Sequence, residues 1–191
     1  MDLNSLLLIF AAHLLFYWAT AFAVDLRNTW TFIHSAQARA VVANQMVCTP
    51  LVAWIPMLAS EPLPWWHAVW QLPAAVMVTD VVFYVVHRAF HRRSLYMKFH
   101  CVHHTYNTPI GAAALLAHPV EHILANSLPP LLAGTVTRMD VHAFLFWIVI
   151  GTINTVHSHA VPNQHTVHHE KRNKNFGVGL MLMDRLFGTL A

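Results

Sequence analysis

From Leu3 to Val24 the chain carries no charged residue, and as one helix this run would be about 33 Å long, enough to cross the hydrocarbon core of a bilayer. A chain with such a run either buries it inside a large protein or places it in lipid. At 191 residues, 57% hydrophobic and only 10% charged, the whole chain holds too much apolar surface to hide in one soluble domain. Four further apolar runs follow: Val41–Ala59 with Pro50 and Pro56, Ala68–Val86 with Pro73, Ile110–Gly134, and Val141–Val156. The fourth is interrupted by HPVEH and by Pro129-Pro130, which marks it as a candidate re-entrant segment; it pairs with the fifth as a hairpin through TVTRMD.

The expected fold is therefore an all-α integral membrane protein, residues 1–191 as a single domain, with four or five membrane-embedded helices and a histidine-rich helical cap on the cytosolic side. That side follows from the basic residues. With the first run ending in the cytosol, Arg27, Arg39, Arg88, Arg92, Arg93, Lys98, Lys171, Arg172, Lys174 and Arg185 all fall there, and Arg138 alone falls opposite. Trp65 and Trp66 suit the opposite interface. A net charge of +3 gives no reason to expect a nucleic-acid partner. Cys48 and Cys101 are expected to be free thiols, and the first run, too long and without a basic leader, does not read as a cleavable signal.

Histidine is the anomaly: 16 residues, against 11 of Lys and Arg together. They concentrate in HRAFH (His87, His91), HCVHH (His100, His103, His104) and HTVHH (His165, His168, His169), all on the cytosolic side, with His157 a ninth candidate. Helical spacing of i, i+3 and i+4 predicts that each HxxHH box turns its rings toward one place. Eight or nine imidazoles exceed the needs of one ion, so two ions sharing the set is the economical reading; imidazole suits zinc, copper, iron and nickel alike. Asp80, seven residues before His87 on the same helical face, is placed to orient a ligating ring. His118, Glu121 and His122 in HPVEH could add ligands or line a substrate path, though this is not the HExxH zinc-protease pattern. Tyr84, Asn107 and Asn154 are candidate hydrogen-bond partners. His13, His34, His67 and His142 read as ordinary core or interfacial histidines. Two other functions would use many histidines: a bis-histidine heme cytochrome, with ring pairs facing one another inside the spans, and a metal transporter, with ligands along a midplane path.

From Trp65 to Leu190 the chain resembles the fatty acid hydroxylase / sterol desaturase superfamily. The likeness rests on HRAFH, HCVHH and HTVHH in that order, with AHPVEH, INTVHS and DRLFGT between and after them. Within that superfamily it is most similar to sterol 4-methyl oxidases; fatty acid or sphingolipid hydroxylases, sterol desaturases and carotenoid hydroxylases belong to the same group. The resemblance implies a di-iron centre, with zinc able to substitute in purified protein, and dioxygen as co-substrate on a lipid C–H bond. It implies ligands at His87, His91, His100, His103, His104, His157, His165, His168 and His169. It also implies a sterol-like substrate and a separate electron donor, a b-type cytochrome or an NAD(P)H-dependent reductase. The expected location is the endoplasmic reticulum in a eukaryote or the inner membrane in a bacterium. The chain departs from the family pattern at His159, which could take the place of His157.

Overall fold

The computed structural model describes residues 3–48 and 63–191. Every regular element among them is helical. Among the described residues three helices are long and apolar enough to cross a membrane: α1 (Leu3–Val24), α4 (Ala68–Phe90, preceded by a 3₁₀ turn at Trp65–His67) and α8 (Val141–Ala160). Between α1 and α4 the chain continues through α2 (Leu26–Ile33) and α3 (Ala36–Ala43) into a π-helical turn, Asn44–Cys48. Asp25 and Ser35 cap α2 and α3 through their side-chain oxygens. The second apolar run, Val41–Ala59, lies largely outside the described residues, as do Pro50 and Pro56.

The fourth apolar run is not one helix. A 3₁₀ turn at Gly111–Ala113 leads into buried, irregular chain as far as His118, and helix resumes at α6 (Pro119–Glu121). Proline is the cause: it drives the preceding residue out of the helical region, and His118 sits at ψ 142°. From Pro119 the chain continues through a π-helical turn (His122–Ser127) into α7 (Leu128–Val136). Irregular backbone at membrane depth survives only if other groups satisfy its carbonyls. Here side chains do so: Tyr17 Oη donates to Ala112 O (2.8 Å), and Asn44 Nδ2 donates to Leu115 O (3.2 Å) and Ala117 O (2.9 Å). Gly111 allows this segment onto α8, since a Cβ there would stand 3.0 Å from Val156 Cγ1.

α1 packs along α8, and α4 along α7. Two apolar clusters fill the interior: one around Tyr17, Phe32, Val41 and Leu116, the other around Ile9, Ala75, Met139, Phe144 and Trp147. The expected α7–α8 hairpin is present. Asp140 caps α8, and Gln71 Nε2 from the start of α4 donates to Thr137 O and Arg138 O. Arg138 thus lies at the same end as Trp65 and Trp66, and His87, near the last turn of α4, lies at the other. α4 and α8 therefore end on one side, and both HxxHH boxes follow there: a 3₁₀ stretch (His100–Thr105) after the short α5 (Arg93–Lys98), and α9 (Gln164–Lys171) after α8. α10 (Leu182–Leu186) packs back on α4.

Candidate metal centre

Nine buried or half-buried imidazoles meet at the ends of α4 and α8. They form two groups, one of His87, His91, His100, His104 and His168, the other of His103, His159, His165 and His169. Within each group one nitrogen per ring lies within 4.8 Å of every other. In the first group the Nε2 atoms face one another: His87 to His100 at 3.1 Å, His100 to His91 at 2.9 Å, His104 to His100 at 3.2 Å, His168 to His104 at 3.3 Å. In the second, His159 Nε2 stands 3.4 Å from His103 Nε2 and 3.1 Å from His165 Nε2.

The opposite ring nitrogens explain why Nε2 faces inward. A carbonyl oxygen can only accept, so a ring nitrogen beside one must donate. Nδ1–H donates to Phe176 O from His87 (2.6 Å), to Lys174 O from His168 (2.7 Å) and to Leu116 O from His103 (3.2 Å). It donates to Thr155 O from His159 (2.8 Å) and to Tyr106 O from His169 (3.2 Å). His100 Nδ1–H donates to Glu121 Oε1 at 2.7 Å. These bonds set one tautomer and leave bare Nε2 lone pairs converging. Burial, followed by neighbouring rings, lowers the pKa of His100, His103, His104, His165 and His169. Burial also lowers His91 to about 3 and His168 to about 4, and the Arg172 guanidinium pushes both the same way. At neutral pH these rings are uncharged, the state a metal ligand requires.

The set fits metal ions. Four nitrogens at roughly 2.0–2.1 Å from one ion lie about 3.3 Å apart, close to the observed separations. Glu121 gives a second indication. It is buried, and Oε2 has no partner among the described residues. A cation on His100 would supply the charge that a buried carboxylate lacks. Facing Nε2 atoms stand 2.9–3.4 Å apart, without the spacing of ring pairs on either side of a porphyrin, and the groups lie at helix ends rather than along a midplane path.

Several placements differ from the sequence reading. Each HxxHH box was expected to serve one place; instead both are divided. His100 and His104 join the first group while His103 joins the second, and His165 and His169 join the second while His168 joins the first. Residues at i and i+4 stay together, and the one at i+3 crosses to the neighbour, because both groups lie side by side against the same short elements. His157 is exposed on α8 and belongs to neither group. His159, two residues on and so turned about 200° around the helix, is buried in the second group.

Asp80 does not meet a ring: its Oδ2 accepts from Met183 N at 3.1 Å and so holds down the C-terminal segment. Glu121 orients His100 instead, a role that its place in HPVEH, next to His122, had left open. His118 caps α6 through Nδ1, and His122 lines the cavity described below. Tyr84 bonds Thr189 and Arg88 and stacks on Phe187, away from the rings. Asn107 accepts from Arg172, and Asn154 is exposed at the cavity wall. Cys48 and Cys101 are free. Five residues accept from the rings through their backbone carbonyls without any mark in the sequence: Phe176, Lys174, Leu116, Thr155 and Tyr106. No side-chain pattern could reveal them.

A largely apolar cavity of about 540 Å³ runs from Leu3, Leu6 and Phe10 on α1 to His87, His100, His103, His159 and His165. Both histidine groups thus open toward the interior of the bundle.

The profile of the fatty acid hydroxylase family matches residues 72–189, which contain every ring in both groups. The chain is 34% identical to fatty acid hydroxylase domain-containing protein 2 of Macaca fascicularis, covering 79% of this chain and 50% of that protein. It is 31% identical to methylsterol monooxygenase 2-2 of Arabidopsis thaliana (70% and 57%) and 30% identical to the very-long-chain aldehyde decarbonylase GL1-11 of Oryza sativa (73% and 60%). The chain spans about half the length of these curated relatives. No solved structure matches it. A profile match over more than half the chain, embracing both histidine groups, places this protein in the fatty acid hydroxylase family.

Proposed function

We propose that the protein is a membrane oxygenase that hydroxylates a C–H bond of a lipid with dioxygen at a two-iron centre. One observation carries this reading: nine imidazoles in two adjacent groups, six of them with Nδ1 tied to protein acceptors, beside an apolar cavity that both groups line. His87, His91, His100, His104 and His168 would hold one ion, and His103, His159, His165 and His169 the other. When bound, the iron pair supplies the activation of dioxygen and the oxidation of the substrate carbon.

The chain's own residues do the rest. The carbonyls of Lys174, Phe176, Leu116, Thr155 and Tyr106, with the Glu121 carboxyl, fix the rings and their tautomers. The apolar walls take up a lipid without passing it through water and keep water from the reacting carbon. A sterol-like substrate is the finer reading, supported by the methylsterol monooxygenases among the relatives. An acyl chain is the second, supported by the relative named fatty acid hydroxylase ahd1 of Mycosarcoma maydis and by the cavity's reach along α1. Electrons would come from a b-type cytochrome or an NAD(P)H-dependent reductase docking on the basic, cytosolic face, in the endoplasmic reticulum or a bacterial inner membrane.

Metal analysis of anaerobically purified protein tests the centre. Wild type is expected to hold two equivalents, of iron or of substituted zinc. His168→Ala and His103→Ala, one from each group, should each hold fewer. Unchanged metal in both variants would remove the shared centre. Cells expressing the protein under isotopically labelled dioxygen should accumulate a lipid carrying the label, and its absence would count against hydroxylation.

A further inference from the structure

The cavity's apolar wall is interrupted by polar groups on three separate elements, and nothing in the metal centre uses them. His13 on α1 is held through Nδ1 by Thr152 Oγ1 of α8 at 2.9 Å, while its Nε2 is buried with no hydrogen-bond partner among the described residues. Asn126 Nδ2, on the π-helical turn, and Thr79 Oγ1, on α4, are buried and equally without partners there. His13, Asn126, Thr79 and Thr152 all line the one cavity. His122, four residues before Asn126, lines the same cavity. Buried polar atoms are normally paired, and three unpaired ones on residues of separate elements that line one space point to an occupant that satisfies them. Asn126 sits on the π-helical turn His122–Ser127, a rare form frequent at functional sites.

Two helices independently give the depth of this polar band. Thr152 precedes His159 by seven residues on α8, and Thr79 precedes His87 by eight on α4. At 1.5 Å per residue the band lies about 10–12 Å from the level of the ring nitrogens. The demand made on a ligand is chemical as well as metric. Asn126 Nδ2 can only donate; His13 Nε2 accepts when Nδ1 carries the proton and donates when it does not. A hydroxyl both donates and accepts, so it satisfies this set with either His13 tautomer.

We infer that His13 and Asn126 are specificity-determining residues that bind a hydroxyl of the lipid substrate, about 10–12 Å from the carbon presented to the metal centre. This rests on the reading of the cavity as the lipid site. It favours a lipid whose hydroxyl is remote from the oxidised carbon. A sterol oxidised on a methyl group beside its own ring hydroxyl leaves the band unsatisfied.

The test is equilibrium binding of radiolabelled 1-hexadecanol and hexadecane to the full chain in lipid nanodiscs, corrected for uptake by empty discs. Wild type should retain the alcohol ~10-fold more tightly than the alkane. In His13→Leu and in Asn126→Leu the alcohol should fall to the level of the alkane, while unchanged alkane binding reports an intact cavity. Equal retention by wild type, or a preference for the alcohol that survives both substitutions, overturns the inference. Where the preparation is active, oxidation of the bound alcohol should fall about 10–12 Å along the chain from its hydroxyl; oxidation beside the hydroxyl overturns the placement. Metal content measured on the same samples separates the two readings. Alcohol preference with no bound metal supports this inference and removes the oxygenase, whereas two metal equivalents with no preference overturn this inference alone.

Discussion

The two histidines at the end of α8 show how far a single residue's environment decides its role. His157 and His159 differ by two positions in the chain, and one is exposed while the other is buried among three rings. His159→Ala should therefore lower bound metal, and His157→Ala should leave it at the wild-type level; metal analysis of the two side by side checks this. Glu121 bonds His100 Nδ1 and so sets the tautomer of that ring. Glu121→Gln keeps an acceptor and loses the charge, and outer partners of this kind typically carry 10–100-fold in metal affinity. Competition against a chelator should show a loss of roughly that size, with the fold intact by circular dichroism. Which histidines come together was largely legible in the sequence, because their clustering is too dense for chance. The choice of His159 over His157, and of Glu121 over Asp80, was not, because both depend on which way a helical face turns in the packed bundle.

Among the elements, the segment from Lys174 to Asp184 acts as a strap over the first histidine group. Its carbonyls at Lys174 and Phe176 accept from His168 and His87, and Asp184, itself buried, accepts from Phe176 N (2.9 Å) and Gly177 N (2.6 Å). Asp80 fastens the far end at Met183 N. A Cβ on Gly177 would lie 2.8 Å from Asp184 Oδ2, so Gly177→Ala should displace the strap and cost about 1–3 kcal/mol. Thermal unfolding in detergent measures that loss, and metal content should fall with it. The irregular segment before Pro119 is held by another small set of bonds. Asn44→Leu would strand the carbonyls of Leu115 and Ala117, next to the Leu116 carbonyl that orients His103. The expected loss is again about 1–3 kcal/mol per stranded group, read as a lowered Tm. The sequence reading marked this run as interrupted, since Pro119 announces a break. It could not say that Tyr17 and Asn44, from two distant elements, would supply the missing donors.

For the whole molecule, the buried rings tie stability to pH. The site histidines outside the spans have folded-state pKa values below the ordinary 6.5, with His168 near 4 and His91 near 3. Between those values the unfolded chain binds more protons than the folded one, so stability rises with pH. It is fully present above about 6.5 and is lost as the pH falls toward 4. Bound metal acts in the same direction, because protons compete for the same nitrogens. Thermal unfolding from pH 7.5 down to pH 4.5 should show a falling Tm, steeper for metal-loaded protein than for chelator-treated protein, and the chelator should itself lower Tm at neutral pH. By itself the sequence determined that the chain is helical and membrane-embedded, and that its histidines gather at one end of the apolar runs; charge, apolar length and spacing are local properties that each segment carries alone. Only the tertiary structure decided how the rings divide into two groups, which carbonyls hold them and where the cavity meets them. Those depend on contacts between residues tens of positions apart, formed when the ends of α4 and α8 come together.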